Sequence, residues 1–404
     1  MNSLKRKRMS IIDQPHANSF SQSIKTALFT TLKSSERVNR SSKDTWTSNQ
    51  RRLFYTVLVL NVFGIAMILS AGSVVASQEG IGEFSYAMRQ SIWFVLGLGA
   101  LYCASKFDYR NLKLLARPLL YGTYFLMFLL YTPLGVQGGG ATRWIAISGI
   151  SFQPSEILKI ATVILAAQVI SDYQKDLRNK RAYLEPSFAL FPAIVLLFSQ
   201  PDYGTMCLIF FLLGSILYLG GIPLDKLVKF GLILTPLLIL GAIAAPYRRK
   251  RLLAVLNPEG DALNSGWQTL QSLTGISNGG LLGVGPGSSK SKWWTPETHT
   301  DFIFTVIAEE MGLFGSLIVL SLFVGLVFFG VQIAKQSRDK FGYLIAMGIT
   351  SWFAVQALVN IGVTIGQMPN TGLPLPFISY GGSSLVVGMA AIGIMINIGQ
   401  PRKR

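Results

Sequence analysis

Residues 293–304 read "WWTPETHTDFIF": two tryptophans, a proline, a histidine (His299) and two carboxylates (Glu297, Asp301), set directly before a long apolar run. Upstream, "NPEGDALNSGWQ" carries Glu259 and Asp261. Asp261 is either an exposed carboxylate available as a base or the N-cap of a helix over "ALNSGWQTLQSL". "FQPSEILK" places Glu156 and Lys159 three residues apart, on one helical face. Such a pair either holds two helices together or lines a polar cavity, and Asp202, Glu309 and Glu310 pose the same choice. Gln356 and Asn360, at i and i+4, read as hydrogen bonds between helices. The glycine-rich "GGLLGVGPGSS" either cradles phosphate through its amides or forms a flexible turn. No His and Cys cluster at metal-ligand spacing, and Cys103 and Cys207 fall in apolar runs, against a disulfide or a metal site.

These polar groups interrupt a chain that is otherwise a membrane protein in composition. Half of its 404 residues are hydrophobic and only 14% are charged, whereas soluble domains carry roughly a quarter. Apolar runs predict an all-α polytopic fold of about ten membrane helices, near 54–76, 87–104, 114–134, 153–171, 187–200, 203–220, 229–246, 301–334, 342–366 and 377–398. The eighth run is too long for one span, so a break is expected near Gly312 or Gly315. Pro236 is expected to kink the seventh. The expected organisation is a basic tail over 1–52, a membrane domain over 53–398 and a basic end over 399–404. The tail lacks an apolar core and a cleavage site, so no signal peptide is expected.

Basic residues orient the spans. With both termini in the cytoplasm, inner segments hold 27 of the 36 lysines and arginines. The +17 charge therefore reports orientation, and its spread over loops argues against a nucleic-acid partner. The exceptions are Arg89, Arg143, Lys159, "YRRKR" (247–251), Lys290 and Lys292, at or near the outer side. They suit either an anionic ligand, such as a lipid pyrophosphate, or outer-leaflet head groups. One large outer loop, 247–300, joins the seventh and eighth spans and holds the polar stretch quoted first. Trp293 and Trp294 suit an interfacial belt there.

Five stretches carry a resemblance: "GGGATRWIAISGISFQPSEILK" (138–159), "SQPDYGT" (199–205), "GDALNSGWQTLQSLTGISNGGLLGVG" (260–285), "PETHTDFIFTVIAEEMGLFG" (296–315) and "NTGLPLPFISYGGSS" (370–384). In order and spacing they resemble the SEDS family of bacterial cell-wall polymerases, the group of FtsW, RodA and SpoVE. The resemblance implies a peptidoglycan glycosyltransferase that polymerises lipid II at the outer face of the plasma membrane, with Asp261 as catalytic residue. Many relatives have proline after that aspartate, and here the residue is Ala262. It also implies importance for Arg143, Glu156 and Lys159, for His299 and Asp301 in "HTDF", and for Ser379 and Ser383 in "SYGGSS". Together with the outer cation Lys292, these are the expected substrate-binding residues. A class B penicillin-binding protein is the implied partner, alongside other division proteins and membrane lipids. The basic tail and the "LPFISYGGSS" wording point to an FtsW-like role at the division septum. A RodA-like elongation polymerase, a lipid II flippase and a division scaffold are the alternatives.

The chemistry implied is specific. Extending a glycan from a lipid-pyrophosphate sugar with inversion needs a base on the acceptor 4-hydroxyl and neutralisation of the departing pyrophosphate. One carboxylate and several cations meet both needs, and a divalent cation such as Mg or Mn could bridge the pyrophosphate.

Overall fold

A capping box starts the first helix: Thr47 Oγ1 accepts from Gln50 N and Gln50 Oε1 accepts from Thr47 N. The computed structural model describes residues 46–400 except 139–140, 148–149, 245, 257–265 and 296. Glu259 and Asp261 lie outside the described residues, as do the tail to residue 45 and the "PRKR" end.

In chain order the helices begin with α1 (Ser48–Gln78), α2 (Ser85–Lys106) and α3 (Leu112–Leu129), the last preceded by a 3-10 turn at Tyr109–Asn111. Three strands follow: β1 (Gly135–Gly138), β2 (Ala141–Ile147) and β3 (Ile150–Phe152). Then come α4 (Pro154–Asp172), α5 (Arg181–Ser199), α6 (Tyr203–Leu219), α7 (Leu224–Ala244) and α8 (Pro246–Leu256). The chain continues through α9 (Trp267–Gly279), the short α10 (Ser291–Trp294), α11 (Ile303–Lys335), α12 (Lys340–Thr364) and α13 (Gly382–Ile398). All ten predicted runs fall on helices. Among the described residues, six helices are long and apolar enough to cross a membrane, and α6 and α13 are shorter apolar ones. The protein is a multi-pass membrane protein.

The all-α expectation needs one correction. β1, β2 and β3 form an antiparallel meander in which Val136 pairs with Trp144 and Ile145 with Phe152. The segment 247–300 is likewise not an open loop, since it contains α9, α10 and most of α8.

Helix starts follow local chemistry. Pro154 stands at the first turn of α4, where its missing N–H costs nothing, and Asp202 and Asp339 cap α6 and α12 by accepting from Thr205 N and Gly342 N. α4 is buried on nearly every face and forms the centre of the bundle. α2 and α13 approach closely through glycine: a methyl on Gly393 would meet Leu101 O at 2.4 Å. The predicted break in the eighth run falls at Gly312, whose φ of 63° and ψ of −159° interrupt α11. A side chain there would meet Gly283 N at 2.4 Å, so backbone of the 280–285 stretch fills the break.

Candidate functional site

The predicted site residues separate into a layer around Lys159 and a second group around residues 370–381. In the buried layer Lys159 Nζ, fully inaccessible, lies 2.7 Å from Glu156 Oε1. It also donates to Gln356 Oε1 at 3.2 Å, and that oxygen accepts from Trp352 Nε1 at 2.8 Å. Gln356 Nε2 donates to Pro374 O, and Asn360 Nδ2 donates to Leu373 O and Asp301 O. A charge at this depth is tolerable only when paired and hydrogen-bonded. Gln356 thus bridges α12 to α4 as expected, whereas Asn360 bonds non-helical backbone instead, and together they hold the "NTGLPLP" segment from below. Glu156 Oε2 is buried without a partner. Asp202 accepts from Ser155 Oγ at 3.4 Å on the neighbouring helix start.

Above this layer, residues 370–381 gather the second group. Arg143, carried on β2, donates to Pro201 O at 2.5 Å and Gln200 O at 3.4 Å. Arg251, midway along α8, donates to Asn370 O at 2.9 Å, and Asn370 Nδ2 donates to Gln268 Oε1 on α9. Gly372 has φ +71°, and a methyl placed on it would lie 3.7 Å from Arg143 Nη1 and 3.8 Å from Asp301 Oδ2. Its bare face thus opens onto a guanidinium and a carboxylate at once. Burial, reinforced by Glu297, pushes the Asp301 carboxyl up to about 7 against the opposing pull of Arg251 and Arg143.

His299 sits beside this group, between the rings of Tyr86 (centroids 4.7 Å) and Tyr380 (5.6 Å). Burial holds its pKa below the usual imidazole value, so the ring is neutral near pH 7, and its Nδ1 is buried without a partner. Its carbonyl accepts from Tyr380 N. Ser379 Oγ donates to Thr300 O and accepts from Leu375 N, while Ser383 Oγ accepts from Gln153 N. Both hydroxyls therefore tie the "SYGGSS" turn to its neighbours. Lys292 is buried and turned inward, 3.8 Å from Glu310 Oε1 and donating to Gly287 O.

The structure thus brings Arg143, Asp301 and His299 to one end of the bundle. It sets Glu156 with Lys159 beneath them and engages Lys159, Lys292, Ser379 and Ser383 in internal bonds. Arg251 was one letter of a basic run in the sequence, and nothing there marked it as the member reaching residue 370. Tyr86 was not visible at all, since its place against His299 depends on how α2 packs. Among the described residues no three His, Cys, Asp or Glu side chains form a set able to hold a metal ion.

A bundle of apolar helices with charged groups gathered around a glycine-bearing turn at one end defines a membrane protein with a polar site at its boundary. Residues 50–404 match the FtsW/RodA/SpoVE family of cell cycle proteins, and the chain belongs to that family. It is 38% identical over 344 residues to a probable peptidoglycan glycosyltransferase FtsW of Geobacter sulfurreducens, covering 84% of this chain and 92% of the relative. It is 35% identical over 355 residues to the stage V sporulation protein E of Bacillus subtilis, covering 87% and 97%. Among solved structures it resembles a chain described under "Structural coordination of polymerization and crosslinking by a peptidoglycan synthase complex", at 29% identity and TM-score 0.73, covering 86% and 96%. The rod shape determining protein RodA of Thermus thermophilus matches at 26% identity and TM-score 0.64, covering 86% and 95%.

Proposed function

We propose that this chain is a peptidoglycan glycosyltransferase that polymerises lipid II at the outer face of the bacterial plasma membrane, in the manner of FtsW during division. Ten crossings with both termini in the cytoplasm would place the Arg143–Asp301 group on that face. One observation supports the reading beyond kinship: the Arg143 guanidinium and the Asp301 carboxyl meet at the bare face of Gly372, and a second guanidinium, Arg251, is held two residues away at Asn370 O. A departing lipid pyrophosphate needs cations held rigidly in partly dry surroundings, and both arginines are anchored by backbone carbonyls.

In this mechanism Asp261 takes the proton from the acceptor 4-hydroxyl as that oxygen attacks the anomeric carbon of the donor sugar. The bond to pyrophosphate breaks, and the arginines hold the charge that develops. Asp301 and neutral His299 orient the sugars and line the site. Glu156 and Lys159 brace it from below, with Ser379 and Ser383 keeping the turn in shape. A divalent ion, where one takes part, would be held chiefly by the pyrophosphate itself, with the nearby carboxylates as its protein contacts. A class B penicillin-binding protein is the proposed partner, since one similar solved structure is described as coordinating polymerization with crosslinking.

The test is Asp261→Asn. An asparagine caps a helix about as well as an aspartate, but an amide cannot accept the proton. Purified variant should insert normally yet polymerise lipid II on the order of 10²–10⁴ more slowly in liposomes. A near wild-type rate would move the base to Glu259, Glu297 or Asp301.

A further inference from the structure

The amides of "GGLLGVGPGSSKSK" are not left open to receive a ligand. Val284 N and Gly285 N donate to the carbonyls of Glu309 and Glu310. Leu313 N and Phe314 N return the favour to Gly280 O and Leu281 O. The Glu309 carboxylate accepts from Ser289 Oγ at 2.5 Å, Ser291 Oγ at 2.5 Å, Ser291 N at 3.0 Å and Lys290 N at 3.2 Å. Glu310 accepts from Ser70 Oγ on α1 at 2.5 Å and Ser289 N at 3.4 Å, with Lys292 Nζ 3.8 Å away. Both glutamates are buried. Glycine makes the approach possible: a methyl on Gly279 would meet Ala308 O at 2.0 Å, and one on Gly283 would meet Glu310 O at 2.1 Å. The helix break at Gly312 and the glycine-rich segment are therefore two halves of one joint.

From this joint we infer that Glu309 and Glu310 are positioning residues for the polymerisation proposed above. Their carboxylates stand where a bound anion would sit in a nest of amides, and they bolt residues 280–292 to the break in α11. α9 runs directly into that segment, and Ser272 Oγ on α9 donates to Thr364 O at 2.7 Å, so α9 is tied to α12 as well. The stretch carrying Asp261 enters α9 at its other end. Holding α9 therefore anchors the chain immediately after the stretch that carries Asp261, and a displacement of about 1 Å at a reacting group can cost 10²-fold in rate. Glu310 extends the joint to α1 through Ser70, so the outer segment rides on the membrane bundle.

This inference rests on Asp261 being the base, and its test separates the two. Glu309→Gln keeps the shape but offers one acceptor oxygen to four donors and turns an NH2 group toward them. Hydrogen exchange of peptides spanning 280–292 should speed up about tenfold or more in the variant, with α4 and α12 peptides unchanged. In liposomes kcat for lipid II polymerisation should fall about tenfold or more, with KM near wild type because the arginines are anchored elsewhere. Glu309→Asp, which keeps the charge at a shorter reach, should recover part of both losses. Unchanged exchange, or loosened exchange with full kcat, overturns the positioning role. If exchange loosens as expected while Asp261→Asn polymerises normally, the joint stands and the assignment of the base falls.

Discussion

The carboxyl of Asp301 is pulled in two directions, and the balance has a measurable consequence. Burial and Glu297 favour its neutral form, Arg251 and Arg143 its charged form, and the first pair wins, leaving it at about 7. An unfolded chain would titrate the same group at its ordinary value of 3.8. Between those two values the folded protein holds a proton that the unfolded chain has already lost. Stability contributed by the protonated form is therefore present at low pH, falls as pH rises from about 4 to about 7, and is level above that. Thermal unfolding in detergent should show the melting temperature dropping across this window for the wild type, with a flatter profile for Asp301→Asn. An identical slope in both proteins would mean that another group sets the pH dependence. The same titration leaves Asp301 about half ionised near neutrality, so it stays among the fallback bases should Asp261→Asn polymerise normally. His299 differs: burial keeps its ring neutral, so it offers the site a hydrogen-bonding surface without charge.

α4 carries the buried layer, and its Glu156–Lys159 pair is the most costly feature of the bundle. Removing one partner leaves the other charge buried, which typically costs about 3–5 kcal/mol. Glu156→Gln and Lys159→Met should each lower folded yield and polymerisation, and the charge-swapped double variant should recover only part. Recovery is partial because the swapped carboxylate would face Gln356 Oε1, an acceptor whose amide partner is already committed to Pro374 O. Silent single variants, judged by detergent-solubilised yield and rate, would make the pair incidental. The spacing of this pair was legible in the sequence because i, i+3 geometry is local. So were the helical character of the apolar runs and the break at Gly312, which follow from apolar length and a glycine in an overlong run. The sheet was not: β1 and β3 are only four and three residues long, and β2 is glycine-flanked and depends on them as partners. The joint of Glu309 with Ser289 and Ser291 escaped too, because a serine-rich turn and a buried glutamate become partners only through long-range packing. Arg143 and Asp301 were individually visible, but only the fold of residues 370–381 sets them on one glycine.

Charge is segregated to the two ends of the bundle, and that separation bears on which side of the membrane does chemistry. At one end Arg110 pairs with Asp339 and Lys113 with Asp172, joining the starts of the 3-10 turn, α3 and α12 to the finish of α4. Arg117 pairs with Glu185 on α5 near the same end. At the other end lie Arg143, Arg251, Asp301 and the joint built on Glu309 and Glu310. Trp293 and Trp294 stand exposed there, as interfacial anchors would. The end bearing the three exposed ion pairs is also where the inner loops and most lysines and arginines belong by the positive-inside bias. The polar site should therefore face outward. Ser288 offers the check, since it is exposed on the described part of the outer segment. With Cys103 and Cys207 replaced by serine, Ser288→Cys should react with an impermeant thiol reagent in intact spheroplasts, at a rate unchanged by lysis. Reaction only after lysis would reverse the orientation and carry Arg143, Asp301 and Asp261 to the cytoplasmic side, where a polymerase of exported lipid-linked sugars could not work.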